Sequence, residues 1–589
     1  MADTRPRREQ LREAEELLFT GPERLGVAKG LFLGEFVADW VMPFPAMDEG
    51  PEVEAAVAEV RRFAEEGLDP VGIDRRADIP PETIAELGRL GVLGMTAPRE
   101  FGGRGFSQAA YCRVMEVIGG ACGSTSVFTN AHHSIGIRAL LLFGTEEQKR
   151  KWLRPLASGA ELAAFALTET EAGSDAAGVR ATAVPSTDGS HYVLNGEKRY
   201  ITNGAIAKVL TVIARTPAPE KGEGATGITA FLVTPDMPGF EVTEARMEKL
   251  GIRGTVTSRL AFRDMRVPSE NVLGPVGKGL RVALTVLDFG RTTFGATCTG
   301  AAKTCLRLSV RHAKNRRQFG LSLEEFPLVQ EKIARMAAYV WAMEAMTRVT
   351  ASLIDRGLED YMVETAMLKV YASEALWEIV NDALQIHGGA GYFTDLPLER
   401  MLRDARINQI GEGANDVLRC FIALVGMRGP GEELLELWQA LPRPWKAVRQ
   451  MLRYGSQRAE ARVSAPEVPV QSDELRPYAR RFGGLIQRFD RSLRWELLRH
   501  GEGIVELQQV QKRIAEAAIA LFASACVLSR LDRALSEPGQ ASVAEWERAP
   551  AFYALDLFDR IVRDQLSALR DNDDQASTAA AEAALRVRR

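Results

Sequence analysis

The sequence predicts an α+β protein, mostly α, in four parts: an N-terminal helical domain, a central antiparallel β-barrel-like domain, a four-helix bundle and an additional C-terminal helical domain. Three observations lead there. Up to about residue 160, apolar residues recur at helical spacing. Between about 160 and 275, short β-rich runs are bracketed by Asp188-Gly189 and Asn195-Gly196, dipeptides that reach the positive φ of tight hairpin turns. From Gly279 onward, four long amphipathic segments follow one another with short connections.

Residues 1–50 read as an N-terminal extension, and 51–160 as the helical domain. In that domain Val53, Ala56 and Val57 begin one amphipathic helix, Pro80-Pro81 opens a second that runs towards Gly91, and 108–118 is a third. The β domain covers 161–275, with strands expected at 190–194, 208–214, 227–234, 240–243 and 259–262. The bundle covers 276–428, with helices at 279–313, 326–354, 359–388 and 415–427. A Pro-, Gly- and Arg-rich stretch at 429–472 reads as linker plus short helix. Residues 473–570 are helical again, most strongly over 504–531, and the polar, Ala-rich tail 571–589 is expected to be disordered.

Composition narrows the function. The 589 residues are 46% hydrophobic and 26% charged, and 74 basic side chains are mixed with 78 acidic ones. No basic stretch marks a nucleic-acid surface. The six cysteines form no Cys-x-x-Cys pair and read as buried thiols of a reducing compartment. The early apolar stretch 31–43 is interrupted by Glu35 and Asp39, and the arginine-bearing N-terminus also carries Asp3, Glu9 and Glu13. Neither reads as a membrane span or a transit peptide, so a cytoplasmic location with at most peripheral membrane contact is expected. His132-His133 point apart and lack neighbouring ligands, so no metal site is expected.

Four stretches carry chemistry. In Phe165-Ala166-Leu167-Thr168-Glu169 with Gly173-Ser174-Asp175, a strand runs into a glycine loop whose N–H groups can meet a phosphate or a heteroaromatic edge, or form an ordinary surface turn. Tyr200-Ile201-Thr202 would put an aromatic and a hydroxyl on one strand face, suited to a flat heterocycle or to a plain cross-strand pair. Gln385 and Gly389 stand at a helix end rich in glycine, a common C-cap. Glu412 stands between Gly411 and Gly413 just before a helix. A carboxylate held in an apolar pocket there would have a raised pKa suited to a base, and the same residue could also be a solvated loop side chain.

Taken in order, Leu167-Thr168-Glu169, Gly173-Ser174-Asp175, Asn195-Gly196, Ile201-Thr202-Asn203-Gly204, Val267-Pro268, Asn271-Val272-Leu273-Gly274, Phe319-Gly320, Gly388-Gly389, Arg403-Asp404 and Glu412-Gly413 resemble the acyl-CoA dehydrogenase family. His500 with Gly503-Ile504-Val505, and Val527-Leu528-Ser529-Arg530, resemble the C-terminal domain of its very-long-chain subgroup.

The resemblance implies FAD as cofactor, acyl-CoA as substrate, an electron-transferring flavoprotein as partner, and a homodimer. It implies that Phe165, Leu167, Thr168, Gly173 and Ser174 line the flavin and its pyrophosphate, with Ser174 also near substrate. Tyr200, Ile201 and Thr202 would lie along the isoalloxazine, with Thr202 at N5. Arg316, Gln318, Phe319, Gln385 and Gly389 would reach the FAD of the neighbouring subunit, and Ala414, Asn415 and Asp416 would lie near the cofactor. Glu412 would remove the substrate's α-proton while the β-hydrogen leaves as hydride, with Arg291, Gly411 and Gly413 beside the substrate. Ser126 and Asn130 fall where long-chain relatives carry pocket-deepening glycines, which sets medium to long acyl chains as the expected range. Some relatives carry the base one residue before the arginine matched by Arg291; here that residue is Gly290. Thr170, Gly411 and Ala414 depart from the family's usual Pro, bulky residue and Thr, which bears on pocket shape and FAD affinity. An oxygen-using acyl-CoA oxidase and a non-catalytic assembly protein are the alternatives.

Overall fold

A computed structural model describes residues 24–46, 49–218, 224–440, 464–536 and 545–586. The N-terminal domain contains α2 (Pro51–Glu66), α3 (Pro70–Arg76), α4 (Pro81–Arg89), α5 (Gln108–Ala121), α6 (Gly123–Asn130), α7 (Arg138–Phe143) and α8 (Glu146–Ala157), preceded by a short α1 (Val27–Phe32). The starts are chemically marked. Ser107 accepts from the Ala110 N–H to cap α5, and Thr145 and Gln148 form a capping box on α8. Between α6 and α7 the chain widens into a π-helical stretch, Ala131–Ile137.

The β domain is one eight-stranded sheet: β1 (Ala163–Ala166), β2 (Thr182–Pro185), β3 (His191–Thr202), β4 (Val209–Pro217), β5 (Thr226–Val233), β6 (Phe240–Glu244), β7 (Thr257–Pro268) and β8 (Val272–Leu273). Its order is β6-β7-β3-β2-β4-β5-β8, with β1 on β4. Pairing is antiparallel except where β1 and β2 meet β4 in parallel. The turn expected at Asp188-Gly189 joins β2 to β3. The one expected at Asn195-Gly196 does not form. Those residues make a bulge inside β3, which is paired with β2 on one edge and β7 on the other. Gly196 has φ +140°, and a Cβ there would stand 2.7 Å from Ala181 Cα. The glycine freedom that permits a turn serves a bulge where both strand edges are already paired.

The bundle helices are α9 (Gly279–Asn315), α10 (Pro327–Asp355), α11 (Met362–His387) and α14 (Asn415–Ala440), with the hairpin β9 (Arg317–Gln318)–β10 (Leu321–Ser322) and the short α12 (Gly389–Tyr392) and α13 (Leu398–Arg406) between them. The expected linker begins later than residue 429, because α14 continues through Pro430 to Ala440. An Arg428–Glu432 pair at 2.8 Å and an Arg494–Glu433 pair at 3.0 Å hold that extra length. The short helix expected further along falls partly on residues 441–463, outside the described residues.

The C-terminal domain contains α15 (Arg476–His500), α16 (Gln508–Ser536), α17 (Glu545–Ala568) and α18 (Asp574–Leu585). The tail expected to be disordered is therefore helical as far as Leu585. Its alanines favour the helix, and Asp574 pairs with Arg513 at 2.5 Å. Helix α16 is long and apolar enough to cross a membrane, but 89% of its apolar window is buried against its neighbours. One apolar core runs from the bundle into this domain, and α1 is wedged within it. Phe32 meets Phe489 edge-on at 5.1 Å. A Cβ at Gly426 would lie 2.3 Å from the Phe32 ring, so only glycine fits there.

Candidate active site

The loop between α13 and α14 carries Glu412. Glu412 has φ +56° and Gly413 φ +97°, so the chain turns through the left-handed region at both. Lys369 on α11 fixes the turn from below, donating to the Gly413 carbonyl at 2.7 Å and to Asn415 Oδ1 at 2.8 Å. Asn415 in turn donates to Ser373 Oγ and Glu374 Oε1. Arg291 on α9 makes a long 3.4 Å contact to the Glu412 carbonyl and is itself held by Asp288 at 2.8 Å.

The residue as a whole is half-buried, but its carboxylate is enclosed. Asn130 donates to Oε1 at 2.7 Å, and buried Oε2 has no partner among the described residues. Burial raises the pKa to about 7, against the weaker opposite pull of Lys369, Arg291 and the Asn130 hydrogen bond. A Cβ at Gly290 would stand 2.8 Å from Oε2. Gly290 and the Glu412 carboxylate thus share one space, and the lack of a side chain at Gly290 leaves room for that carboxylate.

Asn130 ends α6 and Ser126 lies one turn earlier, both buried. Ser126 lines a cavity of about 40 Å³ with Gly120, Thr297, Leu376 and Met401. The sequence reading made both residues pocket lining, whereas Asn130 is bonded to the carboxylate. His132 receives the Ala163 N–H on Nδ1 and faces the Leu156 carbonyl through Nε2, and His133 receives the Thr96 N–H.

On the β domain, Phe165, Leu167 and Ile201 are buried in core clusters, so their side chains serve packing. Thr168 and Thr202 are half-buried, while Gly173 and Ser174 are exposed. Tyr200 is 56% exposed with φ +61°. The register of β3 slips between Lys198 and Ile201, so Tyr200 and Thr202 do not follow the simple alternation expected of them. Asn203 donates to the Phe128 carbonyl and ties this end of β3 to α6.

Arg316, Gln318, Gln385, Gly389 and Asp416 are exposed, and Gly411 and Ala414 half-buried. Phe319 is 94% exposed at the tip of the β9–β10 hairpin, where it and Gly320 have φ +54° and +83°. The structure thus joins Glu412, Asn130, Arg291, Gly413 and Asn415 in one contact network, buries Phe165, Leu167, Ile201 and Ser126, and leaves Gly173, Ser174, Tyr200, Arg316, Gln318, Phe319, Gln385, Gly389 and Asp416 on open faces. These faces suit FAD. A Cβ at Gly173 or Gly389 would meet nothing within 4 Å, and Tyr200 is more than half exposed, with the Arg199 guanidinium 4.8 Å from its ring centre. Lys369 escaped the sequence reading, although a lone cation inside Ala366-Met367-Leu368-Lys369-Val370 was its signal.

The family described as "Acyl-CoA dehydrogenase, N-terminal domain" matches residues 50–160, the middle domain 164–265 and the C-terminal domain 277–426. The "ACAD9/ACADV, C-terminal domain" matches residues 473–585. The very long-chain specific mitochondrial acyl-CoA dehydrogenase of Rattus norvegicus is 38% identical over 563 residues, 94% of this chain and 85% of the relative. An acyl-CoA dehydrogenase from Bacillus anthracis complexed with FAD superimposes with TM-score 0.77 at 29% identity, covering 95% of each chain. A chain from the structure titled electron transferring flavoprotein of Acidaminococcus fermentans gives 0.61 at 35% identity, over 65% of this chain and all of that one.

Proposed function

The chain belongs to the acyl-CoA dehydrogenase family, whose members are FAD-dependent enzymes acting on acyl-CoA, and we propose that it oxidises medium- to long-chain fatty acyl-CoA to the trans-2-enoyl-CoA. The observation that carries this reading is the enclosed Glu412 carboxylate with its unpartnered Oε2.

Glu412 is the base for the α-proton. Its raised pKa matches a group that must take and release a proton near neutral pH. Lys369 and Arg291 keep the loop in register, and their charges favour the ionised form. The Glu412 N–H makes no backbone hydrogen bond among the described residues and is free to meet the thioester oxygen as negative charge develops there. Gly173, Ser174, Tyr200 and Thr202 would hold FAD, which supplies the acceptor for the hydride lost from the β-carbon.

Electrons then pass to an electron-transferring flavoprotein, a reading supported by the Acidaminococcus likeness. The enzyme is a homodimer in this reading. Tyr392 and Phe393, next to Gly389, and Phe319 on the β9–β10 hairpin are exposed aromatics suited to contact with a second copy. Five buried cysteine thiols favour a reducing compartment, the cytoplasm.

The test is kcat/KM with even-numbered straight-chain acyl-CoAs from about C4 to about C20, together with bleaching of the bound flavin. A medium- to long-chain optimum with a sharp upper cutoff is expected, because each buried methylene contributes about 0.8 kcal/mol until the pocket ends. Ser126→Gly, which opens the adjoining cavity, should move the cutoff to longer chains. An optimum at C4, or with branched short acyl groups, would refute the chain-length assignment.

A further inference from the structure

Asn130 is 3% exposed and its side chain lies against the base. Its Nδ2 donates to Glu412 Oε1 at 2.7 Å, while its own Oδ1 is buried with no partner among the described residues. An orphaned buried acceptor is costly and rare, and this one belongs to a side chain that touches the base. An asparagine amide has a donor end and an acceptor end, and a half-turn of its last torsion exchanges them. A carboxylate needs a donor, and the carboxylic acid it becomes has a proton to give. Serving both states from one position requires such a two-ended group.

We propose that Asn130 is a positioning residue for the base, its amide donating to the Glu412 carboxylate before proton abstraction and, turned over, accepting from the carboxylic acid afterwards. This rests on Glu412 being the base. In the step itself the α C–H bond breaks, the proton goes to Glu412, and the electron pair stays on the substrate. Asn130 exchanges no atoms. It keeps the acid's proton directed away from the α-carbon, which disfavours its return.

The other groups facing the carboxylate are Arg291 and Cys298 from α9 and Lys369 from α11, with Asp288 behind Arg291. They remain in place when residue 130 is changed, so a shift in the pH profile of such a variant reports the lost amide. Asn130→Leu has nearly the same shape and neither polar end. Its kcat should fall about tenfold, and the acidic limb of kcat against pH should move up by about one unit, because the bond given to the charged carboxylate is stronger than the one accepted from the neutral acid and its loss dominates. KM for acyl-CoA should change less than about twofold. The deuterium isotope effect with α-dideuterated acyl-CoA should rise, because proton abstraction becomes more fully rate-limiting. Asn130→Asp sets a second carboxyl against the first and should move the limb further up, since adjacent carboxylates resist double ionisation.

If Asn130 only fills the pocket, Asn130→Leu keeps the wild-type acidic limb and isotope effect while the chain-length preference changes, and that result overturns the proposal. Should the leucine variant fail to fold, Asn130→Ala carries the same prediction. Glu412→Gln separates the two readings. An active Glu412→Gln enzyme removes the base itself, whereas an inactive one beside an unshifted Asn130→Leu enzyme removes only this role for Asn130.

Discussion

Glu412→Gln is expected to lower acyl-CoA turnover by at least about 10²–10⁴-fold while flavin and acyl-CoA still bind. The amide keeps the shape of the side chain and can still accept from Asn130, but it cannot take the α-proton. The same substitution should stabilise the fold above neutral pH. Burial lifts the folded pKa of Glu412 from 4.5 to about 7, so between those values the folded state holds a proton that the unfolded chain has released. Stability contributed by this group therefore falls as pH rises from about 4.5 to about 7 and stays low beyond it, by about 3 kcal/mol in total. Glutamine has no such dependence. The melting temperature of the variant should match wild type near pH 4.5 and exceed it at pH 8. Near-wild-type turnover would show that another group is the base, and equal melting temperatures at pH 8 would show that the carboxylate is not strained by burial.

The helical parts were legible because period and length agree there. The bundle helices expected at 279–313 and 326–354 are Gly279–Asn315 and Pro327–Asp355 in the fold. Sequence failed where tertiary pairing overrode a local signal. Asn195-Gly196 has turn chemistry, but two strand partners make it a bulge. Pro430 is a helix breaker, but contacts along α14 carry the chain past it. Nothing local to Val27–Phe32 shows that it will be wedged between the bundle and α15.

Within the site, Glu412 was legible as a carboxylate between two glycines, in a phrase order that points to one family. Its surroundings were not. The Asn130 contact joins residues 282 apart, and that of Arg291 to Glu412 joins residues 121 apart. Neither leaves a local pattern. Tyr200, Phe319 and Glu412 all sit at positive φ without being glycine, which is strain held by surrounding structure and invisible to strand or helix periodicity.

Replacing Lys198 with methionine should cost about 3–5 kcal/mol, since removing one partner of a buried pair leaves the other charge uncompensated. Lys198 is 0% exposed and Glu169 7%, with 2.6 Å between Nζ and Oε1. Burial pulls the Lys198 pKa down to about 8, and Glu169 opposes that pull, so the ammonium persists at neutral pH. Nζ also donates to the Leu167 carbonyl, and Glu169 accepts the Arg180 and Ala181 N–H groups. The pair therefore pins both ends of the 167–181 loop, which carries Thr168, Gly173 and Ser174 of the proposed flavin site. Lys198→Met should lower the urea midpoint and reduce flavin retained per chain. Lys198→Met with Glu169→Gln should recover part of the stability, because the stranded charge is gone while the glutamine oxygen still accepts from one of the two N–H groups. Arg89→Ala, which breaks the exposed Arg89–Glu86 pair, is the contrast and should change stability by less than about 1 kcal/mol. If Lys198→Met and Arg89→Ala shift the midpoint equally, the buried pair does not hold the loop, and flavin binding must rest on the sheet and bundle alone.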